Sequence, residues 1–339
     1  MKTHKKLILR ISYIICLAGI MFMAFAMIMV GFDVKALDLC GEPRQVVKEY
    51  STDELKSISV DFMSNDIIIK KSATDKIKFT YYTTDCCPAS IKYENGEIYL
   101  GDDFNAFEYN LKQFTKGFFH GIRKFGLDTV IEIPNGCTDI NINIDISNGE
   151  IEAEDIIAND IYLQTSNGNI TAKNINANTL KADTSNGKVT LSGVTVKNLI
   201  NTTTSNGKIE VENTSASDID LQTSNGNITV NNLSADSLKA DTSNGKIILS
   251  DITAKKLINT ETSNGAIEIE DITSDNIILQ TSNGAIQGNI VGNADDYNVS
   301  SSTSNGNDSL AVYNGKNTAS DKKLEVETSN GSISVEFTK

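Results

Sequence analysis

Apolar residues recur through residues 139–339 in a fixed phase relative to Asn-Gly pairs. Six positions before each asparagine stands Ile, Leu or Val, and three positions after it stands Ile or Val, except where Asp308 replaces it. Between these positions apolar and polar residues alternate, so that Ile161, Leu163 and Thr165 share one face. This period of two predicts two short strands per repeat, each with one buried face.

Each Asn-Gly pair ends a Thr-Ser-Asn-Gly motif, or Ile-Ser-Asn-Gly in the first copy, and successive asparagines lie 19 to 25 residues apart. A fixed period of this size is typical of stacked repeats. Glycine permits a positive φ and asparagine tolerates one, so we expect the chain to turn at each pair. The residues assigned this structural turn are Asn148, Gly149, Asn167, Gly168, Asn186, Gly187, Asn206, Gly207, Asn225, Gly226, Asn244, Gly245, Asn264, Gly265, Asn283, Gly284, Asn305, Gly306, Asn330 and Gly331.

Two all-β architectures fit such a repeat. Asn-Gly between alternating strands is a strong hairpin signal, which would give a meander of antiparallel strands. In a β-solenoid, each repeat is one coil and like residues stack at about 4.8 Å. We favour a solenoid of about ten 19–20-residue coils, because identical residues recur at identical phase and stacked side-chain amides can bond to one another. A longer period of 58 residues, as from Lys181-Ala182-Asp183 to Lys239-Ala240-Asp241, indicates duplication of a three-coil block.

The region before the repeats predicts a membrane anchor. An uncharged run over residues 11–32 is long enough to cross a bilayer, and the cations before it favour a cytoplasmic N-terminus and an exported remainder. A cleaved signal peptide is the alternative, but the run exceeds the usual apolar region of such peptides. The predicted order is a basic tail at 1–10, a transmembrane helix at 11–32, a linker at 33–45, an irregular β cap at 46–138 and the solenoid at 139–339.

An insert at 104–125 differs from the strands around it. Its apolar residues recur at spacings of three and four, which predicts an amphipathic helix. The helix would either cap the end of the solenoid or lie on the membrane surface. The residues that would contact a membrane or partner are Phe107, Leu111, Phe114 and Phe118.

The last two intervals between asparagines lengthen to 22 and 25 residues. The additional residues lie near Asp295-Asp296-Tyr297 and Tyr313-Asn314-Gly315. They predict loops or a C-terminal cap at the far end of the stack.

Charge argues against several functions. The formal charge of −14 resides in the repeats, which have 13 Lys, no Arg and 27 acidic residues from Asp139 onward, so we exclude nucleic acid as a partner. The repeats contain no His, the chain has no Trp, and their carboxylates recur with the period, which is typical of structural residues rather than a catalytic pair. We therefore expect no enzyme activity, no cofactor and no metal site. The pairing of Cys40, Cys86, Cys87 and Cys137 stays open.

The chain resembles a bacterial family of exported, membrane-anchored β-strand-repeat proteins labelled putative adhesins, a domain of unknown function. The resemblance rests on Ile58-Ser59-Val60, Ile67-Ile68-Ile69, Ile131-Glu132-Ile133-Pro134 and the Thr-Ser-Asn-Gly repeats. It implies a membrane-anchored, envelope-facing protein, often one without a known ligand. We predict a single-pass membrane protein with an extracellular C-terminal domain that acts as an adhesin or envelope-binding module for a wall polymer, a surface glycan or a protein. The alternative is a regulatory or assembly partner of membrane proteins in envelope stress.

Overall fold

The structure is a computed structural model that describes Met21 and residues 42–84, 88–103 and 127–339. Among these residues, no helix is both long enough and apolar enough to span a membrane. Several predictions lie outside the described residues: the transmembrane helix at 11–32 apart from Met21, the insert at 104–125 with Phe107, Leu111, Phe114 and Phe118, and the cysteines Cys40, Cys86 and Cys87.

The chain divides into two compact units. The first comprises Met1–Arg44, Thr83–Ala89 and Asp103–Gly126, and within its described part the Asp103 N–H donates to the Pro88 carbonyl at 2.8 Å. The second comprises Gln45–Tyr82, Ser90–Asp102 and Leu127–Lys339. The repeats belong to the second unit.

Strands make up most of the described chain. Two short 3-10 helices, Ala294–Asp296 and Ala311–Tyr313, lie where the longer intervals predict loops or a cap. The strands are β1 (Arg44–Tyr50), β2 (Ser57–Ser64), β3 (Ile67–Lys71), β4 (Ile77–Thr83), β5 (Ala89–Glu94), β6 (Glu97–Asp102), β7 (Thr129–Ile133), β8 (Asn141–Asn148), β9 (Ile151–Glu154), β10 (Asp160–Asn167), β11 (Ile170–Lys173), β12 (Asn176–Thr184), β13 (Val189–Ser192), β14 (Thr195–Thr204), β15 (Ile209–Thr223), β16 (Ile228–Thr242), β17 (Ile247–Thr262), β18 (Ile267–Thr273), β19 (Asn276–Thr281), β20 (Ile286–Val291), β21 (Asn298–Thr303), β22 (Lys323–Thr328) and β23 (Ile333–Thr338).

Parallel pairing between successive repeats shows that the fold is a β-solenoid and not a meander. Strand β10 pairs in parallel with β12, which places Leu180 beside Ile161, and β11 pairs in parallel with β13, which places Val189 beside Ile170. The same register runs along the stack, so like positions of the repeat lie above one another. Among the described pairings with a defined register, only that of β4 with β7 is antiparallel.

Each coil contributes three pairs of buried residues to the core. The predicted inward residues before the asparagine and just after it are buried, as Ile161, Leu163 and Ile170 illustrate at 2 % exposure or less. A third pair, at eight and ten positions after the asparagine, is also buried, as at Ile252 and Ala254. In the middle of the stack this stretch joins the next coil in one long strand, such as β16 or β17, so the prediction of two short strands per repeat holds only near the ends.

The prediction of a positive φ at the Asn-Gly pairs is wrong for nearly every repeat. Among the ten repeat pairs, only Gly149 has a positive φ, at 141°. The left-handed residues stand instead seven positions after the asparagine, where the second strand bends into the third stretch. They are Asp155, Asn174, Gly193, Asn213, Asn232, Asp251 and Asp271, with φ between 49° and 65°.

The first coil lies inside the stack rather than at its end. Strand β2 pairs on one side with β8 of the first repeat and on the other with β6. Strand β3 likewise lies between β9 and β7. The outer coil is therefore formed by β6 and β7, which come later in the sequence, and β4 covers part of the free edge of β7 by antiparallel pairing.

The C-terminal end has the same interleaving. Strand β22 lies between β19 and β21, and β23 pairs with β20. The last coil in sequence is thus second from the end in space, and β21 with the two 3-10 helices forms the outer layer. The residues near Tyr297 and Tyr313 thus lie in the outer layer, where loops or a cap were predicted, but the period alone does not reveal that β22 returns to lie beneath β21.

Candidate ligand-binding groove

The repeat asparagines form one row of hydrogen-bonded amides along the stack. The Asn225 Nδ2 donates to Asn206 Oδ1 at 2.8 Å, and Asn225 Oδ1 accepts from Asn244 Nδ2 at 2.8 Å. Aligned bonds of this kind polarise one another and strengthen the row. Equivalent bonds of 2.7–3.0 Å join Asn167 to Asn148, Asn186 to Asn167, Asn206 to Asn186, Asn264 to Asn244, Asn283 to Asn264, Asn330 to Asn283 and Asn305 to Asn330.

The threonine and glycine of each motif make a second, buried row. The Thr223 hydroxyl donates to the Gly207 carbonyl of the preceding coil at 3.0 Å and accepts from the Gly226 N–H at 3.2 Å. The glycines stack so closely that a Cβ atom at Gly187 would lie 1.7 Å from the Gly168 carbonyl oxygen. Glycine is therefore required by the approach of neighbouring coils and not by a positive φ.

A polar groove of about 540 Å³ runs along the outer face of the first strands of six successive repeats, from Gln164 to Ser263. It is lined by two outward rows, three positions and one position before the asparagine, and by the motif threonines between them, whose side chains are buried. The second of these rows is serine throughout. The first row, in stack order, is Gln164, Asp183, Thr203, Gln222, Asp241 and Glu261.

Lysines on the same strands neutralise two carboxylates of the groove. Lys181 Nζ lies 3.0 Å from Asp183 Oδ2, and Lys239 Nζ lies 2.7 Å from Asp241 Oδ2. The hydrogen bond to its aspartate is the largest effect on each lysine and raises its pKa. The groove is thus more nearly neutral than the repeats as a whole, and its free polar groups are mainly hydroxyls and amides.

The two aspartates are equivalent by the 58-residue period but differ in one contact. Asp183 Oδ1 accepts a hydrogen bond from the Thr203 hydroxyl. At the corresponding place after Asp241 stands Glu261, a carboxylate with no proton to donate when ionised. Asp241 Oδ1 is buried and has no hydrogen-bond partner among the described residues. A donor from a bound molecule would satisfy it.

A second groove, also of about 540 Å³, lies over the following strands near the C-terminal end. Several of its polar side chains already have partners: Gln287 Nε2 donates to Glu268 Oε1 at 3.0 Å, and Asn289 Nδ2 donates to Asp271 Oδ1 at 2.6 Å. Within the described ranges, no group of three His, Cys, Asp or Glu side chains is arranged to hold a metal ion. We therefore take the first groove as the candidate site.

A carboxylate cluster extends the outward row toward the N-terminal end. Asp61 lies beside Asp145 in register, and Asp102 Oδ2 accepts the Met63 N–H at 2.8 Å. Burial raises the pKa of Asp102, and the charge of Asp61 raises it further. Burial and then Asp61 raise the pKa of Asp145 in the same way.

The structure places the twenty predicted turn residues in the asparagine and glycine rows, beside the groove rather than in its walls. The groove residues themselves were recognised from the sequence only as a polar outward face. The row of left-handed residues was missed, although Asn, Asp or Gly stands seven positions after the asparagine in seven successive repeats. Its signal is weak because three residue types share the position.

The chain is similar to one protein family and to several solved structures. The family model described as Toastrack DUF4097 matches residues 55–250 and 199–336. A putative adhesin from Parabacteroides merdae is 14 % identical, with 87 % of this chain and 97 % of that chain covered and a TM-score of 0.42. A putative adhesin from Bacteroides fragilis is 13 % identical, with 86 % and 97 % covered and a TM-score of 0.35. No curated protein matches the chain.

Proposed function

Since the chain belongs to the Toastrack DUF4097 family, we propose that it is a non-enzymatic cell-surface protein that binds an envelope or foreign-surface ligand along its solenoid. In this proposal residues 11–32 anchor it in the cell membrane as a single pass, and the solenoid is extracellular. The ligand is a wall polymer, a surface glycan or a protein.

The observation that carries the proposal is the polar groove with its regular row of serine hydroxyls beside a mixed row of amide, hydroxyl and carboxylate side chains. Each coil offers a similar set of contacts at the same place, so an extended ligand could engage many of them together. Many equal weak contacts on one scaffold give a high combined affinity without a single strong site. The unpaired Asp241 Oδ1 supplies one position at which a ligand donor would add more than elsewhere.

The test is site-specific crosslinking on intact cells. A photoreactive residue replaces Ser224, which lines the groove, and a matched control carries it at Glu212, an exposed position on the following strand row. Capture of wall polymer or foreign-surface material from position 224 but not from position 212 supports the proposal. Capture of neighbouring membrane proteins alone, from both positions, would overturn it in favour of a regulatory or assembly role.

A second measurement uses the internal duplication. Asp241→Asn should weaken retention of the captured ligand, because a neutral amide oxygen accepts a hydrogen bond less strongly than the charged carboxylate does. Asp183→Asn is the control, since Asp183 already has Thr203 as a donor. Equal retention in the two variants would show that the ligand does not use this part of the groove.

A further inference from the structure

Asn-Gly pairs are prone to deamidation, and the fold restrains some of the pairs in this chain more than others. The backbone nitrogen of the glycine can attack the Cγ of the asparagine, and the Cγ–Nδ2 bond then breaks. Ammonia leaves with the glycine N–H proton, and a succinimide ring remains. Water opens the ring at either carbonyl to give aspartate or isoaspartate. The reaction requires a free asparagine side chain and a glycine nitrogen that can approach it.

The repeat rows hold both reacting groups. Asn225 gives its Nδ2 to Asn206 and receives a bond at Oδ1 from Asn244. The N–H of the following Gly226 is bonded to the Thr223 hydroxyl at 3.2 Å. Equivalent bonds hold the N–H groups of Gly207, Gly245, Gly265 and Gly284 at 3.1–3.2 Å.

One Asn-Gly pair outside the rows is held by neither kind of bond. Asn135 and Gly136 are exposed in the turn after β7, which is closed by a bond of 3.0 Å from the Cys137 N–H to the Pro134 carbonyl. Neither the Asn135 side chain nor the Gly136 N–H has a hydrogen-bond partner among the described residues. No atom lies within 4 Å of a Cβ built on Gly136, so the turn has room for the ring to form.

Two other pairs outside the rows are restrained. The Asn314 side chain makes two bonds to the Ser301 backbone, at 2.8 Å and 2.9 Å. At Asn95-Gly96 a Cβ on the glycine would lie 2.4 Å from the Glu54 carbonyl oxygen, and the Gly96 carbonyl accepts the Lys56 N–H at 2.7 Å, so this turn lacks the room that the turn at Gly136 has. We propose that Asn135 is a site of spontaneous deamidation in the folded protein, and that the repeat rows protect their own Asn-Gly pairs from the same reaction.

The test is peptide mapping by mass spectrometry after incubation of the purified full-length chain at mildly alkaline pH. Attack at Asn225 must first break the three hydrogen bonds that hold its side chain and the Gly226 N–H, so Asn135 should deamidate about a hundredfold faster than Asn225. In guanidinium the rates should converge, since each pair is then an unfolded Asn-Gly. Equal rates in the folded protein would overturn the proposal, as would a difference that persists in guanidinium.

A variant separates hydrogen bonding from simple burial. Thr223→Val removes the acceptor of the Gly226 N–H while it keeps the shape of the side chain. Deamidation should then rise at Asn225 and stay low at Asn264, whose Gly265 N–H keeps its bond to the Thr262 hydroxyl, with the fold checked by circular dichroism. An unchanged rate at Asn225 in the folded variant would show that the threonine bond does not protect the pair.

Discussion

A Cβ atom added to Gly226 would lie 1.6 Å from the carbonyl oxygen of Gly207 in the preceding coil. No side-chain rotation relieves this clash, because the backbone fixes the position of the Cβ and the oxygen belongs to the backbone. We expect Gly226→Ala to lower the free energy of unfolding by more than about 3 kcal/mol, or to prevent folding. Gly136→Ala is the control, since a Cβ there meets no atom within 4 Å, and its urea midpoint should stay close to that of the native protein.

At two buried threonines we expect valine to give a more stable protein. Thr202 and Thr260 are 0 % exposed, and their hydroxyls have no partner among the described residues. Thr202→Val and Thr260→Val should each raise the free energy of unfolding by about 1 kcal/mol, because an unsatisfied polar group leaves the core.

The matched control for these variants is Thr223→Val. Its hydroxyl makes two hydrogen bonds, so its loss should destabilise the protein by about 1–2 kcal/mol. Denaturant unfolding of the three variants measures both effects. The same sign of change in all of them would contradict the assignment of unpaired and paired hydroxyls.

Asp102 should make stability depend on pH. Its pKa is raised in the folded protein, so the folded state holds its proton more tightly than the unfolded state does. Its contribution is most favourable below the unfolded pKa of about 4, and it is lost as pH rises through the higher folded value. We expect Asp102→Asn to be more stable than the native protein at neutral pH, and the difference to disappear below about pH 4.

Urea unfolding across this pH range measures the effect. The asparagine Oδ1 can still accept the Met63 N–H, so the variant isolates the charge. If the difference in stability between Asp102→Asn and the native protein stays constant with pH, its cause is packing and not the charge.

Asn314 closes the outer edge of β21. Its Oδ1 accepts the Ser301 N–H and its Nδ2 donates to the Ser301 carbonyl, so one side chain pairs with the edge as a strand residue would. Unpaired strand edges promote association between molecules. Asn314→Ala should therefore increase the oligomeric fraction in light scattering. Asn317→Ala, which removes only a bond to the Asp295 carbonyl, should not.

The sequence predicts the regular part of this fold well, because stacking repeats the same local choice in every coil. Parallel register, the amide row and the buried threonines all follow from the fixed phase of residues such as Asn225 and Thr223. The extra residue of the 20-residue coils cannot be placed in this way. The structure accommodates it at a register shift, where Lys255 and Lys256 bond to the two oxygens of Asp236 at 3.0 Å and 3.1 Å.

Two further features could not be predicted from the sequence: why glycine is required in each motif, and the order in which the end coils stack. Glycine permits both positive φ and close approach, and only the distance between coils shows which property Gly187 serves. The position of β22 depends on pairing with β19 and β21, which the period does not encode.

The interleaved ends affect how the stack responds to mechanical force. A terminal coil at an open end would peel away by breaking one row of backbone hydrogen bonds. Strand β22 is bonded on both sides, to β19 and to β21. A pull on the C-terminus first loads β23, which pairs with β20, and must then break two rows together at β22. A pull that reaches β2 from the other direction meets β6 and β8 in the same way. Unfolding from either terminus thus reaches a strand that its neighbours hold from both sides.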